Sequence, residues 1–459
     1  MIQDAPVTLR VTPSTAGDPT ALLEALLEQA SHQDEPLRVN FRALMPAVSA
    51  TERSTHLMHP YPGKLLRQIP ALFAGADQLS RPGDAVLDPF CGSGTVLLET
   101  QMAGRRAIGC DTNPLACLIS AAKTTPLAPA RVEHACRRVV RAARDGESEL
   151  SVAALAHVGR WYYPQMLAPL AALRAAVARM TDPELRRFFE VCFSATARAV
   201  SLADPRVPVP VLLNPQRYRE DHWLHGHASR RLEELRTADV AEVFRQTVAA
   251  NLARLSCLDT AAPDVVVLDG DARELPARLG AAGRQHVDLV ITSPPYLGAQ
   301  KYVRASSLGL RWLDLVPDGE LQQLARRSIG REHFKQSEYD EHVSCGLPAA
   351  DALIDAVRPS NPLRAHLASV YIREMRDAVS GMWSVLRPGG HAVLVAGGNR
   401  LCGRSFPTPR YLEQLAHEQG FVTRMTLLDR IRSRGLMTRR NGSSGLIAEE
   451  CVLLLEKPA

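Results

Sequence analysis

Apolar positions along this chain alternate between two rhythms. Short, nearly continuous apolar runs stand at 84–90 (DAVLDPF), 106–110 (RAIGC), 264–268 (DVVVL), 287–292 (VDLVIT) and 391–397 (HAVLVAG). Runs this short predict strands buried on both faces of a parallel sheet. Residues 94–103 (GTVLLETQMA) have helical spacing, so the chain reads strand, glycine turn, helix, strand over 84–110. That is the opening of an open α/β sheet. A helical tract follows over roughly 131–256, with three- and four-residue spacing at 165–180 and 184–200 and a proline-rich break at 205–215. Another helix is expected at about 367–386, closed by Pro388-Gly389-Gly390. Residues 421–428 and 450–456 predict an antiparallel pair. Residues 1–20 read as a flexible lead, and 21–30 as a short amphipathic helix.

Composition narrows the classes. The 459 residues are 46% hydrophobic and 22% charged, ample for a large buried core. No apolar run reaches 18 residues and the first twenty lack a basic start with an apolar stretch, so neither a membrane span nor a secretory signal is expected. Nine cysteines contain no C-x-x-C pair, which argues against a zinc ribbon or a disulfide scaffold and fits a reducing cytoplasm. A net charge of +5 permits an anionic partner without demanding one.

Two strand ends carry chemistry. Asp88-Pro89-Phe90-Cys91-Gly92-Ser93-Gly94-Thr95 closes the first strand and opens a helix, where such sheets bind ligands. Its glycines let backbone pass close to a ligand. The motif alone would also suit a dinucleotide; the missing Lys-Ser/Thr disfavours a P-loop. Asp111 follows the second strand, where a carboxylate can accept from ribose hydroxyls, and Asp271-Ala272 follow the third, within reach of an adenine amino group. Each aspartate by itself is as readily a helix cap; three in strand order are harder to dismiss. Thr292-Ser293-Pro294-Pro295-Tyr296 ends the fourth strand. Its prolines remove two N–H donors and stiffen the turn, its serine adds an acceptor and its tyrosine an aromatic face. Acceptors and a ring are what an amino group on a flat base requires.

DPFCGSGT followed by TSPPY resembles the motif pair of the S-adenosylmethionine-dependent amino-methyltransferases acting on DNA. His59-Pro60-Tyr61-Pro62-Gly63-Lys64 resembles that family's remaining cofactor motif, and Leu386-Arg387-Pro388-Gly389-Gly390 the approach to the fifth strand in many class I methyltransferases. The resemblance covers about 56–120 and 264–456. It implies a class I methyltransferase (Rossmann-like) fold, mostly parallel, with a terminal antiparallel pair and a helical insertion. Residues 1–55 would be an N-terminal extension and 56–124 the cofactor-binding half. Residues 125–256 would be a lid or target-recognition insertion, and 257–459 the catalytic half with a shorter insertion near 318–365. His59, Tyr61, Lys64, Asp88, Pro89, Phe90, Gly92, Gly94, Thr95, Asp111, Asn113, Asp271 and Ala272 would bind S-adenosylmethionine, and Ser293, Pro294, Pro295 and Tyr296 would hold the base.

Adenine-N6 members usually carry Asp or Asn where Ser293 stands, and Tyr302-Val303-Arg304 is similar to cytosine-N4 members; the expected product is N4-methylcytosine in flipped-out DNA. Adenine-N6 methylation, an RNA base and a catalytically idle nucleic-acid-binding partner remain the alternatives, and a cognate restriction or defence component is a conceivable companion. Phosphate contacts are expected from Arg430, Arg432, Arg434, Arg439 and Arg440, and from Arg326, Arg327, Arg331 and Lys335, although basic runs are equally often solvated faces. His222, His225 and His227 lack a further ligand nearby, so no metal is expected.

Overall fold

The computed structural model describes residues 17–46, 55–146, 156–298, 302–317, 319–341, 343–431 and 448–459. The expected flexible lead therefore falls mostly outside the described residues. Ten strands are described: β1 (Leu37–Val39), β2 (Ala85–Asp88), β3 (Arg106–Asp111), β4 (Val265–Asp269), β5 (Val287–Thr292), β6 (Leu386–Gly397), β7 (Asn399–Leu401), β8 (Arg404–Phe406), β9 (Val422–Arg430) and β10 (Glu449–Glu456). Eight form one sheet in the order β1-β9-β10-β6-β5-β2-β3-β4, and β7 and β8 make a separate hairpin. Strands β2 to β6 pair in parallel, while β10 runs antiparallel between β6 and β9. That is the class I methyltransferase order, with the terminal antiparallel pair in place and β1 added in parallel at the outer edge.

Alternation along the central strands explains why both faces are covered. Val86, Leu289, Ile291, Val393 and Val395 point to one side, against the helices Pro19–Ser31 and Gln68–Gly75. Leu87, Val290, Ala392 and Leu394 point to the other, against the helices Pro362–Val385 and Thr408–Gln419. Opposite-facing neighbours of period two, both apolar, leave a sheet no solvated face. β6 begins at Leu386, ahead of the expected 391, so Pro388-Gly389-Gly390 lies inside the strand. Gly389 takes a φ of +69° there, and the pairing with β5 shifts register between Val287 and Leu289. The Pro-Gly-Gly is thus an irregularity the strand absorbs, as glycines often are in sheets.

Between β3 and β4 the chain builds a helical block whose core continues into the helices Pro114–Thr124 and Tyr302–Trp312. The helices Pro129–Asp145, Pro164–Ala178, Pro183–Ala199, Trp223–Arg236 and Val240–Leu255 surround Phe188, Phe189, Phe193 and Phe244. The helix Pro183–Ala199 joins this block to the sheet domain. A Cβ at Gly309, on the helix Tyr302–Trp312, would lie 2.5 Å from Ser194 Oγ, so only glycine permits that approach. Among the described residues no helix is long and apolar enough to cross a membrane.

Candidate active site

The carboxyl ends of β2, β3, β4 and β5 open onto one cleft of about 880 Å³, at the place where the strand order reverses. Open α/β sheets bind ligands at this switch point because the loops diverge there. Gly92 and Gly94 adopt φ of +49° and +71°, turning β2 sharply into the helix Thr95–Met102. A Cβ on Gly94 would sit 2.8 Å from Ser120 Oγ, and one on Gly92 3.3 Å from the Tyr61 ring. Pro89, Phe90 and Thr95 line the cleft with Gly92.

Two carboxyl groups stand behind this turn. Asp88 Oδ1 accepts from Thr292 Oγ1 at 2.6 Å and from the Phe90 amide at 3.1 Å. Burial pushes its pKa up to about 7 against those bonds. Asp111 accepts from the amides of Gly92 and Asn113, both at 2.8 Å, and burial pushes it up to about 6. Asn113 caps the helix Pro114–Thr124, and its Nδ2 donates to Ser306 Oγ at 3.0 Å and to the Tyr61 hydroxyl at 3.3 Å. The Tyr61 ring lies nearly parallel to that of Tyr302, with centroids 6.4 Å apart.

Three expected contacts are engaged in other ways. His59 does not line the cleft: Nδ1 faces the Pro60 carbonyl at 2.8 Å and Nε2 faces Ser194 Oγ at 3.0 Å. Its ring ties the turn to the helical block. Lys64 reaches the cleft, but its Nζ donates to the carbonyls of His56 and His59 at 2.6 and 2.9 Å. Burial, helped by Arg254, lowers its pKa to about 8. Asp271 lines the cleft with Ala272, and both its oxygens already accept from Arg273, at 2.9 and 2.5 Å. Burial opposes its charge, yet the guanidinium holds the carboxylate below its usual range.

On the facing wall Ser293 and Pro295 line the cleft, and Pro294 is buried behind them. Tyr296 is half-buried, with its hydroxyl donating to Glu450 Oε1 at 3.3 Å. Burial first, then the Glu450 charge, holds that hydroxyl far above ordinary tyrosine acidity. The turn is clamped downstream: Asn399 Nδ2 donates to the Leu297 carbonyl at 2.7 Å, and the Gly298 amide to the Gly330 carbonyl at 3.2 Å. Gly330, at φ +77°, cannot be replaced freely, since a Cβ there would lie 2.8 Å from the Tyr296 carbonyl. Thr292 stood in the sequence motif without a role of its own, and Glu450, Asn399 and Gly330 were not among the sequence candidates. They act by tertiary contact, for which no local signal exists.

Arg327 lines the cleft. Arg326, Arg331 and Lys335 line an adjoining hollow of about 1170 Å³ that shares Tyr302, Val303, Ser328 and Ile329 with it. Arg331 is paired with Glu374 at 2.5 Å, and its guanidinium lies 4.6 Å from the centre of the Phe334 ring. Arg430 is exposed at the end of β9; Arg432, Arg434, Arg439 and Arg440 lie outside the described residues. His222 Nδ1 accepts from the Leu224 amide and caps the helix Trp223–Arg236.

The donor set fits a cationic nucleoside. Asp88 and Asp111 line the cleft, while the Lys64 ammonium is turned onto carbonyls, an arrangement ill suited to a pyrophosphate. S-adenosylmethionine brings a sulfonium, an ammonium and an adenosine, and the carboxyls and ring faces of the cleft suit those groups.

Comparison with known proteins agrees. A family model of DNA methylases matches residues 76–122, the span from just before β2 into the helix after β3. The chain is 23% identical over 434 residues to the Type II methyltransferase M.MvaI of Kocuria varians, covering 88% of this chain and 92% of that protein. It is 38% identical over 78 residues to the Type II methyltransferase M.MjaII of Methanocaldococcus jannaschii, 17% of this chain and 14% of that protein. Among solved structures, TrmN from Thermus thermophilus aligns at 14% identity with a TM-score of 0.28, over 86% of this chain and 50% of that one, a likeness too slight to carry an argument. With its motif pair, its strand order and these matches, the chain is similar to the S-adenosylmethionine-dependent DNA amino-methyltransferases.

Proposed function

We propose that this protein is a Type II, site-specific DNA methyltransferase that methylates the exocyclic N4 of cytosine, as the modifying half of a restriction or phage-defence pair. The observation that carries this reading is the juxtaposition of Ser293 and Pro295 with Asp88 and Asp111 around one cleft, fixed by the Thr292–Asp88 hydrogen bond. The serine in the Ser-Pro-Pro-Tyr turn and the Tyr302-Val303-Arg304 run favour cytosine over adenine.

S-adenosylmethionine supplies a methyl group made electrophilic by its sulfonium. Tyr61, Asp88, Phe90, Gly92, Asp111, Asn113, Asp271 and Ala272 would hold it, with Pro89, Gly94, Thr95 and Lys64 shaping the turns around it. The amino nitrogen of cytosine is a poor nucleophile because its lone pair is delocalised into the ring. Ser293 Oγ and a carbonyl of the proline turn accept its two hydrogens and favour a pyramidal nitrogen. The same oxygens stabilise the positive charge that grows on nitrogen during transfer. The serine hydroxyl acts as an acceptor that positions the base, since it is too weakly acidic to serve as an anion. Tyr296, held through Glu450, offers its ring face to the flipped base. Arg327 and the hollow beside it receive the neighbouring backbone.

Incubation with methyl-labelled cofactor and DNA, followed by nucleoside mass spectrometry, tests the reading. The expected product is N4-methyl-deoxycytidine. Label in N6-methyl-deoxyadenosine would overturn the choice of base, and label confined to RNA would overturn the DNA substrate.

A further inference from the structure

A second cavity, about 1650 Å³ of open space, lies between the helical block and the loop carrying His59, and it shares Tyr61 and Pro62 with the cofactor cleft. Three helices of the block each place one arginine on its wall: Arg198, Arg231 and Arg254. No Asp or Glu is among the residues that line it. The guanidiniums are held mainly by neutral groups. Arg198 Nη2 donates to the carbonyls of Asp204 and Val207, and its Nη1 is buried with no hydrogen-bond partner. Arg254 Nη1 donates to Asn251 Oδ1, and Arg231 Nη2 to the Ala199 carbonyl. The carboxylate on Arg231, Glu234, stands 3.5 Å away on the exposed side. Three guanidiniums in a concave wall with no carboxylate in its lining, their charge offset only in part by Glu234 beside Arg231 and Asp204 near Arg198, make a field that attracts anions.

The rim indicates which anion. Between Pro205 and Val207 of the cavity wall, Arg206 lays its guanidinium 5.5 Å from the centre of the Tyr218 ring. Tyr218 stacks on His222 at 5.7 Å and 18°, and His222 on Trp223 at 6.1 Å and 25°. Trp223 ends the row 71% exposed. A solvent-facing aromatic row beside a basic concavity matches how proteins hold nucleic-acid strands, charge on the phosphates and rings on the bases. A small anion would need no such row.

We infer that this cavity is a second DNA contact, in which Arg198, Arg231 and Arg254 receive backbone phosphates of the substrate and Trp223 packs against an adjacent base or sugar. It rests on the DNA reading above, and it gives the helical block the task of gripping the substrate on the far side of Tyr61 from Ser293.

Equilibrium binding of a DNA duplex across a salt series tests it, using the full chain and its Arg231→Gln/Arg254→Gln and Trp223→Ala variants, with cofactor affinity measured alongside. The double variant should lower the salt slope by about 2, since each phosphate contact removed takes away roughly 0.9. Arg231→Lys/Arg254→Lys should keep the slope, and Arg254→Gln alone should lower it by about 0.9 if the double variant does not fold. Trp223→Ala should weaken binding by about tenfold with the slope unchanged. All should bind cofactor as the parent does. A parent that binds DNA while the glutamine variants keep its slope would overturn this inference alone. A parent that does not bind DNA would overturn the DNA reading with it.

Discussion

The cleft at the strand ends and the cavity under the helical block meet at Tyr61 and differ in almost every physical respect. The cleft is walled by carboxyls whose hydrogen bonds come from backbone amides and Thr292, and burial raises both pKa values. The cavity is walled by guanidiniums with no carboxylate among them. A carboxyl that burial makes reluctant to ionise awaits a cation, and a guanidinium held mainly by neutral groups awaits an anion. The difference suits a reaction that brings a cationic methyl donor and a polyanionic acceptor to one point, each approaching from its own side.

The sharpest way to break this comparison is at the wall where the two substrates meet. Ser293→Ala should lower the single-turnover methylation rate by about 10²–10³, the usual cost of losing one preorganised acceptor at a developing charge. DNA and cofactor affinities should stay near the parent's. Transfer at the parental rate would make Ser293 a turn residue only.

Tyr296→Ala should come next, because base stacking is worth roughly 1–3 kcal/mol. The flipped population, read as 2-aminopurine fluorescence at the target position, should fall accordingly. An unchanged signal would mean that Glu450 holds the ring for structural reasons alone.

Gly92→Leu attacks the cofactor side. A left-handed φ of +49° costs a side chain about 1–2 kcal/mol, and the new Cβ meets the Tyr61 ring at 3.3 Å. Cofactor affinity by calorimetry should fall by about tenfold or more, with DNA affinity at low salt little changed. Equal loss of both would show that the two sites are not separable.

The smallest effect is one of pH. Asp88 and Asp111 have folded pKa values, about 7 and about 6, above the ordinary 3.8. A raised carboxyl gives stability that is full below its unfolded value and lost as pH rises through its folded one. The ligand-free protein should therefore lose some thermal stability between about pH 4 and 7, from the ordinary value up to the two folded ones. A bound cation favours the ionised forms, so cofactor affinity should rise over the same window and binding should release protons. Calorimetry near pH 6.5 in two buffers of different ionisation enthalpy reads that release, and identical heats would contradict it.

How much of this was legible in the sequence depends on whether a feature is local. The strands announced themselves because both their faces are apolar, and the two strand-end turns because glycine and proline constrain backbone wherever they stand. β1 escaped notice, since three residues at a sheet edge carry no periodicity. The Thr292–Asp88 bond joins residues 204 positions apart and has no local trace. His59 sits in a motif that resembles a cofactor motif, yet its ring is turned onto Ser194 of a helix with no counterpart in that resemblance. Arg198, Arg231 and Arg254 become one wall only after three helices pack, so a search for basic runs passed over them.

The most direct test of the opposed-charge account is a pair of affinities measured on the unaltered protein from low to moderate salt. For a cation held by two buried carboxyls, cofactor affinity should change little with salt, because buried interactions are weakly screened. DNA affinity should fall steeply, with a log–log slope beyond about −2 if the three arginines of the cavity contact phosphates. A DNA slope near zero, or a cofactor affinity that falls as steeply as the DNA affinity, would contradict the account.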